Sequence, residues 1–465
     1  MASGAQHSSR IVRYSLFVLG GLVAAYAISD HPLYGGLPGF GKAQALLLAA
    51  GIGLIVCGLL PRRFADGILV FSVVGFVMLG LAEFAGELIL GPRYRGIYEL
   101  DDRLIFKLIP DRTSVMTRAP INGGQTVTQR INSDGFRGPE LRTDGEATRV
   151  VVYGDSFIHA YYSPQAETFA GQLQHLLQKS SSQDIEVINA GVSSYGPDQI
   201  ALKMETELPL LNPDLVIVSV FAGNDFGDLL RNKLFYLNEQ GSITHNPDWQ
   251  LEPYLTAQWA ISQRESILKR AAEEALNNLR TRTAPPAPSD EPAQLPNFLN
   301  LDFLIEEAER EYQSFIVERS NVISNTHIDY YGANLNLTPN SVSAKYQSAL
   351  MQQVIAKISG IAEAASAPIV FMFIPHPFDV TESYDQWQLD ANRYPQYDSR
   401  NQIRILENAA QSIDAPYLSL YDHFRSVNAN ELYFHGGDDH WNGKGQEFAA
   451  RLMIEKLREL RLQRH

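Results

Sequence analysis

Thr148-Arg149-Val150-Val151-Val152-Tyr153-Gly154-Asp155-Ser156-Phe157 is the stretch on which the fold turns. Its β-branched run from 148 to 154 has the length and continuous apolar character of a strand buried on both faces, as in a parallel sheet. The run ends at Gly-Asp-Ser, so Ser156 falls on a strand-to-helix turn. There its hydroxyl is exposed, and the following helix start offers backbone N–H groups to developing negative charge. Taken alone, Gly-Asp-Ser is far more often an ordinary turn and helix cap than a nucleophile.

Similar runs recur outward from it, at 185–189 (IEVIN), 214–221 (DLVIVSVF), 368–374 (PIVFMFI) and 415–420 (APYLSL). Between and after them the pattern predicts helices near 165–179, 197–208, 343–365, 400–413 and 444–461. Such alternation predicts an α/β fold, a doubly wound parallel sheet with helices on both faces and its site at the carboxyl ends of the strands. Residues 148–465 form this domain. A stretch at about 230–342 interrupts it, with helical segments near 257–282 and 301–320 flanking a Pro-rich connector at 285–296. This insertion either shapes a cleft or is a surface excursion. Residues 92–147, rich in turn signals such as Asn122-Gly123-Gly124 and Ser133-Asp134-Gly135, read as a lead-in.

The first 91 residues differ in kind. Segments 14–29, 43–60 and 68–91 are long apolar stretches without basic residues and without a polar face, and predict three transmembrane helices. A signal peptide accounts for the first at most. Arg10 and Arg13 precede the first span, and Arg62 and Arg63 lie between the second and third. By the positive-inside rule the chain after the third span is extracytoplasmic, with Arg93 and Arg95 opposing. The protein is thus expected in the lipid bilayer as a multi-pass membrane protein.

Charge follows the same division. Residues 1–95 hold seven basic against four acidic side chains, a net of +3; the whole chain is -14, so residues 96–465 carry -17. An acidic domain has no footprint for nucleic acid. The single cysteine, Cys57, lies in an apolar run and excludes a disulfide framework or a cysteine-based zinc cluster.

Three further blocks follow predicted strands. Asn189-Ala190-Gly191-Val192-Ser193-Ser194-Tyr195-Gly196 comes after the second, its small residues permitting close backbone approach. Gly223-Asn224-Asp225 comes after the third, where the asparagine either caps a helix or donates to an oxyanion. Asp438-Asp439-His440-Trp441-Asn442 stands before the last helix, where a carboxylate can fix the imidazole tautomer. His376, in Ile374-Pro375-His376-Pro377, reads as a structural loop histidine or a cleft residue.

Together these blocks resemble the SGNH, or GDSL-type, serine hydrolase family over roughly residues 148–461. The resemblance implies a flavodoxin-like three-layer fold and a Ser-His-Asp hydrolase without metal or cofactor. It implies Ser156 as nucleophile, His440 as general base and Asp438 as the carboxylate orienting His440, with Asp439 as the competing orienter. The oxyanion hole it implies comprises the Ser156 N–H, the Ser194 N–H and the Asn224 side chain. Two departures stand out: Ser194 aligns with the family's glycine, and the family's Asp-x-x-His spacing is here Asp-x-His. The Asp-x-His-Trp-Asn form looks like alginate O-acetyltransferase-like members. Asn132-Ser133-Asp134-Gly135-Phe136-Arg137-Gly138 is similar to a segment preceding the catalytic domain in membrane-anchored bacterial members.

These readings make the expected activity removal of acetyl or other acyl groups from an extracytoplasmic, carbohydrate-type ester through an acyl-enzyme. The alternatives are an O-acetyltransferase modifying an envelope or exported polysaccharide, needing a larger membrane partner as acetyl source, and a non-catalytic envelope assembly factor.

Overall fold

The computed structural model describes residues 2–28, 42–94, 96–117, 126–180, 183–251, 267–272, 275, 301–317, 332–381, 392–434 and 439–463. The chain divides into two compact units, residues 1–96 with 253–286 and residues 97–252 with 287–465.

The first unit contains helices α1 (Ala2–Ile28), α2 (Lys42–Gly58) and α3 (Arg62–Tyr94). All three predicted segments are helical where described, but they differ in length. Among the described residues, one helix, Phe64–Gly91, is long and apolar enough to cross a membrane; the apolar parts of the others, Arg13–Ile28 and Leu47–Gly58, are shorter. A Cβ on Gly20 would stand 2.6 Å from the Gly51 carbonyl oxygen, so α1 and α2 meet backbone to backbone, a small-residue contact common between helices in lipid. In α3, Phe71 and Phe76 are 82% and 80% exposed, an apolar outer surface. Of the two acids late in this helix, Glu83 and Glu87, the Glu83 carboxylate accepts the N–H groups of Ile267 and Leu268 at 2.6 and 3.2 Å. Residues 267–272 and 275 are helical; the rest of the helix expected over 257–282, and the connector at 285–296, lie outside the described residues.

In the second unit the lead-in folds into two antiparallel hairpins, β1 (Tyr98–Asp101) with β2 (Ile105–Leu108) and β3 (Thr113–Thr117) with β4 (Thr126–Arg130). It belongs to the same compact unit as the sheet. The sheet strands are β5 (Thr148–Tyr153), β6 (Ile185–Asn189) and β7 (Leu215–Phe221), followed, after the small hairpin β8 (Phe235–Leu237) and β9 (Ile243–His245), by β10 (Ile369–Ile374) and β11 (Tyr417–Ser419). Five parallel strands lie in the order β11-β10-β7-β5-β6. Numbered by their own sequence, that is 2-1-3-4-5, the flavodoxin-like order. Val151, Val152, Tyr153, Ile217 and Val218 are all 0% exposed, which explains why these strands read as unbroken apolar runs.

The helices form two packed groups. Helix α5 (Phe169–Ser180) packs with the C-terminal helix Gly443–Gln463, and α6 (Pro197–Leu211) packs with Val342–Ala364, which also packs with Asn401–Gln411. With the sheet they make the three layers that the alternation predicted. Within the interruption at 230–342, Leu301–Val317 is the helix expected over 301–320. The chain reverses direction across the sheet between β5 and β7, and the crevice beyond their carboxyl ends is the switch point where such folds bind ligands.

Candidate active site

Ser156 opens α4 (Ser156–His159), a single turn directly after β5. The turn is sharp because Gly154 has no side chain; a Cβ there would collide with Ser219 Oγ and Ile158. Asp155 caps α4, its carboxylate accepting the Phe157 N–H at 3.0 Å. Asp155 is therefore structural, and the hydroxyl beside it is the reactive candidate.

His440 Nε2 lies 2.8 Å from Ser156 Oγ, across 284 residues of sequence. The ring is held by Phe157, stacked on it with centroids 5.1 Å apart, and by Tyr162 edge-on at 6.1 Å. His440 Nδ1 lies 3.1 Å from Asp439 Oδ1. The carboxylate at the imidazole is thus that of Asp439, while Asp438, the residue favoured from the sequence, lies outside the described residues. Although Asp439 is adjacent to His440, the backbone between them lets the carboxylate reach the neighbouring ring. Burial pushes the Asp439 carboxyl up, but the charge and hydrogen bond of His440, with His376, outweigh it and hold it below the usual carboxylate range.

Ser194 and Asn224 line the same cleft as Ser156 and His440. Ser194 has φ +65°, the left-handed conformation for which glycine is the usual residue, so the serine occupies a glycine's backbone position. In its loop the Gly191 N–H is bonded to Asn189 Oδ1, the Val192 N–H to the Gly154 carbonyl and the Ser193 N–H to His159 Nδ1. The Ser194 N–H has no hydrogen bond among the described residues. Asn224 precedes helix α7 (Asp225–Asn232) but makes no side-chain capping bond to it. Its neighbour Asp225 closes the turn instead, accepting the Phe221 N–H at 2.7 Å. His376 does not line the cleft: it caps a short turn through the Phe378 N–H at 3.1 Å, and burial pulls its ring down to about 3, with Asp439 opposing.

Three contributors were not evident from the sequence. Arg137, in the turn Asn132–Gly138, is 2% exposed. Its guanidinium donates to the carbonyl oxygens of His159, Ala160 and Ser163, and its N–H to the Asn189 carbonyl at 3.2 Å. The lead-in thereby grips the loop after Ser156 and the end of β6 together. Asn132 builds that turn, its Oδ1 accepting the N–H groups of Asp134 at 3.0 Å and Phe136 at 2.8 Å. Tyr98, also from the lead-in, forms part of the cleft wall, and Ser193 stands beside it.

The cleft measures about 350 Å³ and is walled largely by Tyr98, Tyr161, Tyr162, Phe434 and Trp441. Among the described residues, none from 230–342 lines it. Chemically, it offers a hydroxyl hydrogen-bonded to an imidazole whose other nitrogen meets a carboxylate, beside a backbone N–H and a carboxamide, with aromatic faces around them.

No family profile and no curated relative matches the chain. Its fold is similar to that of solved GDSL-type and related esterases. TesA is 13% identical, with 67% of this chain and 99% of TesA covered at a TM-score of 0.33. The psychrotrophic esterase EstA from Pseudoalteromonas sp. is 12% identical, with 67% and 98% covered at 0.31. The acetylxylan esterase Axe2 from Geobacillus stearothermophilus, in a catalytic mutant, is 10% identical, with 68% and 96% covered at 0.33. Likeness this distant carries no weight of its own beside the geometry of the cleft.

Proposed function

We propose that this protein is a membrane-anchored serine esterase of the SGNH type, removing acetyl or another small acyl group from an extracytoplasmic carbohydrate ester. The observation that carries the proposal is the 2.8 Å contact between Ser156 Oγ and His440 Nε2, with a carboxylate 3.1 Å from Nδ1. That is nucleophile, base and orienting group at hydrogen-bond distance.

The chemistry follows from the contacts. With Nδ1–H held by Asp439, Nε2 bears the lone pair that takes the Ser156 proton as Oγ attacks the ester carbonyl. The carbonyl oxygen becomes an oxyanion stabilised by the N–H groups of Ser156 and Ser194 and by the Asn224 carboxamide. Collapse expels the alcohol, which receives the proton from His440, and leaves an acyl-Ser156 ester. Water then attacks that ester, giving its proton to His440, and the carboxylic acid departs as Ser156 is re-protonated. Aromatic walls suit the apolar faces of a sugar ring, and the apolar helices α1, α2 and α3 support attachment to a bilayer, with the arginine distribution favouring an outer catalytic unit.

Ser156→Ala should abolish turnover of 4-nitrophenyl acetate, by roughly 10³-fold or more, while leaving the circular dichroism spectrum and Tm unchanged. Native turnover in that variant would refute the assignment. The Asp438-Asp439-His440-Trp441-Asn442 block supports a second reading, in which a sugar hydroxyl replaces water as acceptor and a membrane partner supplies the acetyl group. Following label from the acetylated enzyme into glycan or into free acetate separates the two. Failure of Ser156 to react with a serine-directed phosphonate would instead favour a non-catalytic envelope role.

A further inference from the structure

Behind the cleft wall lies a second imidazole that acyl transfer leaves unused. His159, at the end of α4, is 0% exposed. Three groups converge on its Nδ1: Ser193 Oγ at 2.7 Å, the Ser193 backbone N–H at 3.3 Å and the Tyr98 phenol at 3.4 Å. A backbone N–H can only donate, so Nδ1 is the nitrogen with the lone pair and the ring proton sits on Nε2. Burial, reinforced by the Arg137 guanidinium, holds this imidazole well below the usual histidine range, so it remains a neutral acceptor.

This fixes what the neighbouring hydroxyls can offer. Ser193 directs its proton to Nδ1, which leaves an oxygen lone pair for the cleft. Tyr98 faces the same pair and also hydrogen-bonds Ser193. Burial pushes its phenol well above the ordinary tyrosine range, so it stays protonated, with that proton committed inward. Tyr98 and Ser193 both line the cleft that holds Ser156 and His440. These two side chains present acceptor oxygens to it, so they suit an O–H. Ser193 directly precedes Ser194, so the two Cα atoms are about 3.8 Å apart. A group bound at Ser193 therefore lies on a carbon close to the reacting ester.

We propose that Tyr98 and Ser193, seated on His159, form a subsite for a free hydroxyl of the alcohol half of the ester, which makes esters of polyols and sugars the preferred substrate class. The proposal rests on the esterase reading. A site whose buried polar groups are built to meet a substrate hydroxyl discriminates strongly against an analogue lacking it.

The test compares kcat/KM for glycerol monoacetate and for 1-propyl acetate, using the full-length protein in detergent micelles. The native protein should prefer the glycerol ester by roughly tenfold or more. Ser193→Ala and Tyr98→Phe should each bring that ratio to within about twofold of unity, and Ser193→Thr, which restores a hydroxyl, should recover it. Because the readout is a ratio, damage to the catalytic centre alone lowers both rates and leaves it unmoved. A native ratio near one, or an undiminished ratio in both Ser193→Ala and Tyr98→Phe, overturns the subsite while the esterase stands. No turnover of either ester overturns the esterase reading and the subsite with it. If Ser193→Ala does not fold, Tyr98→Phe, which removes a single oxygen, decides the matter.

Discussion

Asp439→Asn keeps the volume of the side chain at His440 and removes its charge. The Oδ1 to Nδ1 separation is 3.1 Å, and the Asp439 side chain is 19% exposed, so solvent screens the pair in part. Centre to centre, carboxylate and imidazolium stand about 4 Å apart; at an effective dielectric near 20 they attract by about 4 kcal/mol. The imidazolium exists only after Ser156 has given up its proton, so the loss falls on the transition state and not on substrate binding. A loss of that size is about 10³-fold in kcat, with KM nearly unchanged. An asparagine amide donating to Nδ1 would also favour the wrong tautomer, which acts in the same direction. The assay is steady-state hydrolysis of 4-nitrophenyl acetate by Asp439→Asn and Asp438→Asn side by side. Asp438→Asn should lose less than about tenfold, because the Asp439 carboxylate remains at Nδ1. A larger kcat loss in Asp438→Asn than in Asp439→Asn would refute the pairing, as would a raised KM with unchanged kcat in Asp439→Asn.

Asn224→Ala should lower kcat by roughly 10²–10³-fold with little change in KM, the usual cost of one oxyanion donor; a lowered Tm with unchanged kcat would assign the side chain to structure instead. Ser194→Gly should raise stability by about 0.5–1 kcal/mol in thermal unfolding, since φ +65° is strained for serine and free for glycine. It should keep kcat within about threefold because the donor is backbone, and a larger loss would mean that the hydroxyl takes part. Asp198 is 0% exposed and burial raises its carboxyl to about 7, against the bonds from Asn232 and Gln199 that lower it. A carboxyl raised by folding stabilises most below its unfolded value near 3.8, and that stability is lost as pH rises through about 7. Asp198→Asn should accordingly gain Tm at pH 8 relative to the native protein and gain little at pH 5, and equal shifts at both would refute the linkage.

The sheet was legible because its central strands are buried on both faces, which leaves continuous apolar runs in the sequence. Ser156, Ser194, Asn224 and His440 were legible because a doubly wound sheet delivers residues after successive strands to one edge. The reach of the Asp439 carboxylate to the ring was not, since the direction of a side chain in a turn depends on backbone angles that residue types leave open. Arg137 was obscured for another reason. A charged residue in a turn-rich stretch reads as exposed, yet here three carbonyl oxygens replace its hydration. The pairing of His159 with Ser193 links two loops 34 residues apart, and neither residue lies in a pattern that marks it.

The grip of Arg137 on the loop after Ser156 bears on where this protein can be cut. A soluble fragment beginning at residue 148 would contain every strand of the five-stranded sheet and would look complete on a topology diagram. It would lack the guanidinium that meets the His159, Ala160 and Ser163 carbonyls, and it would lack Tyr98. The working boundary therefore falls near Ile97, where the second compact unit begins. A recombinant enzyme trimmed to the sheet alone would keep its nucleophile on α4 but lose the three bonds that hold the chain just after it.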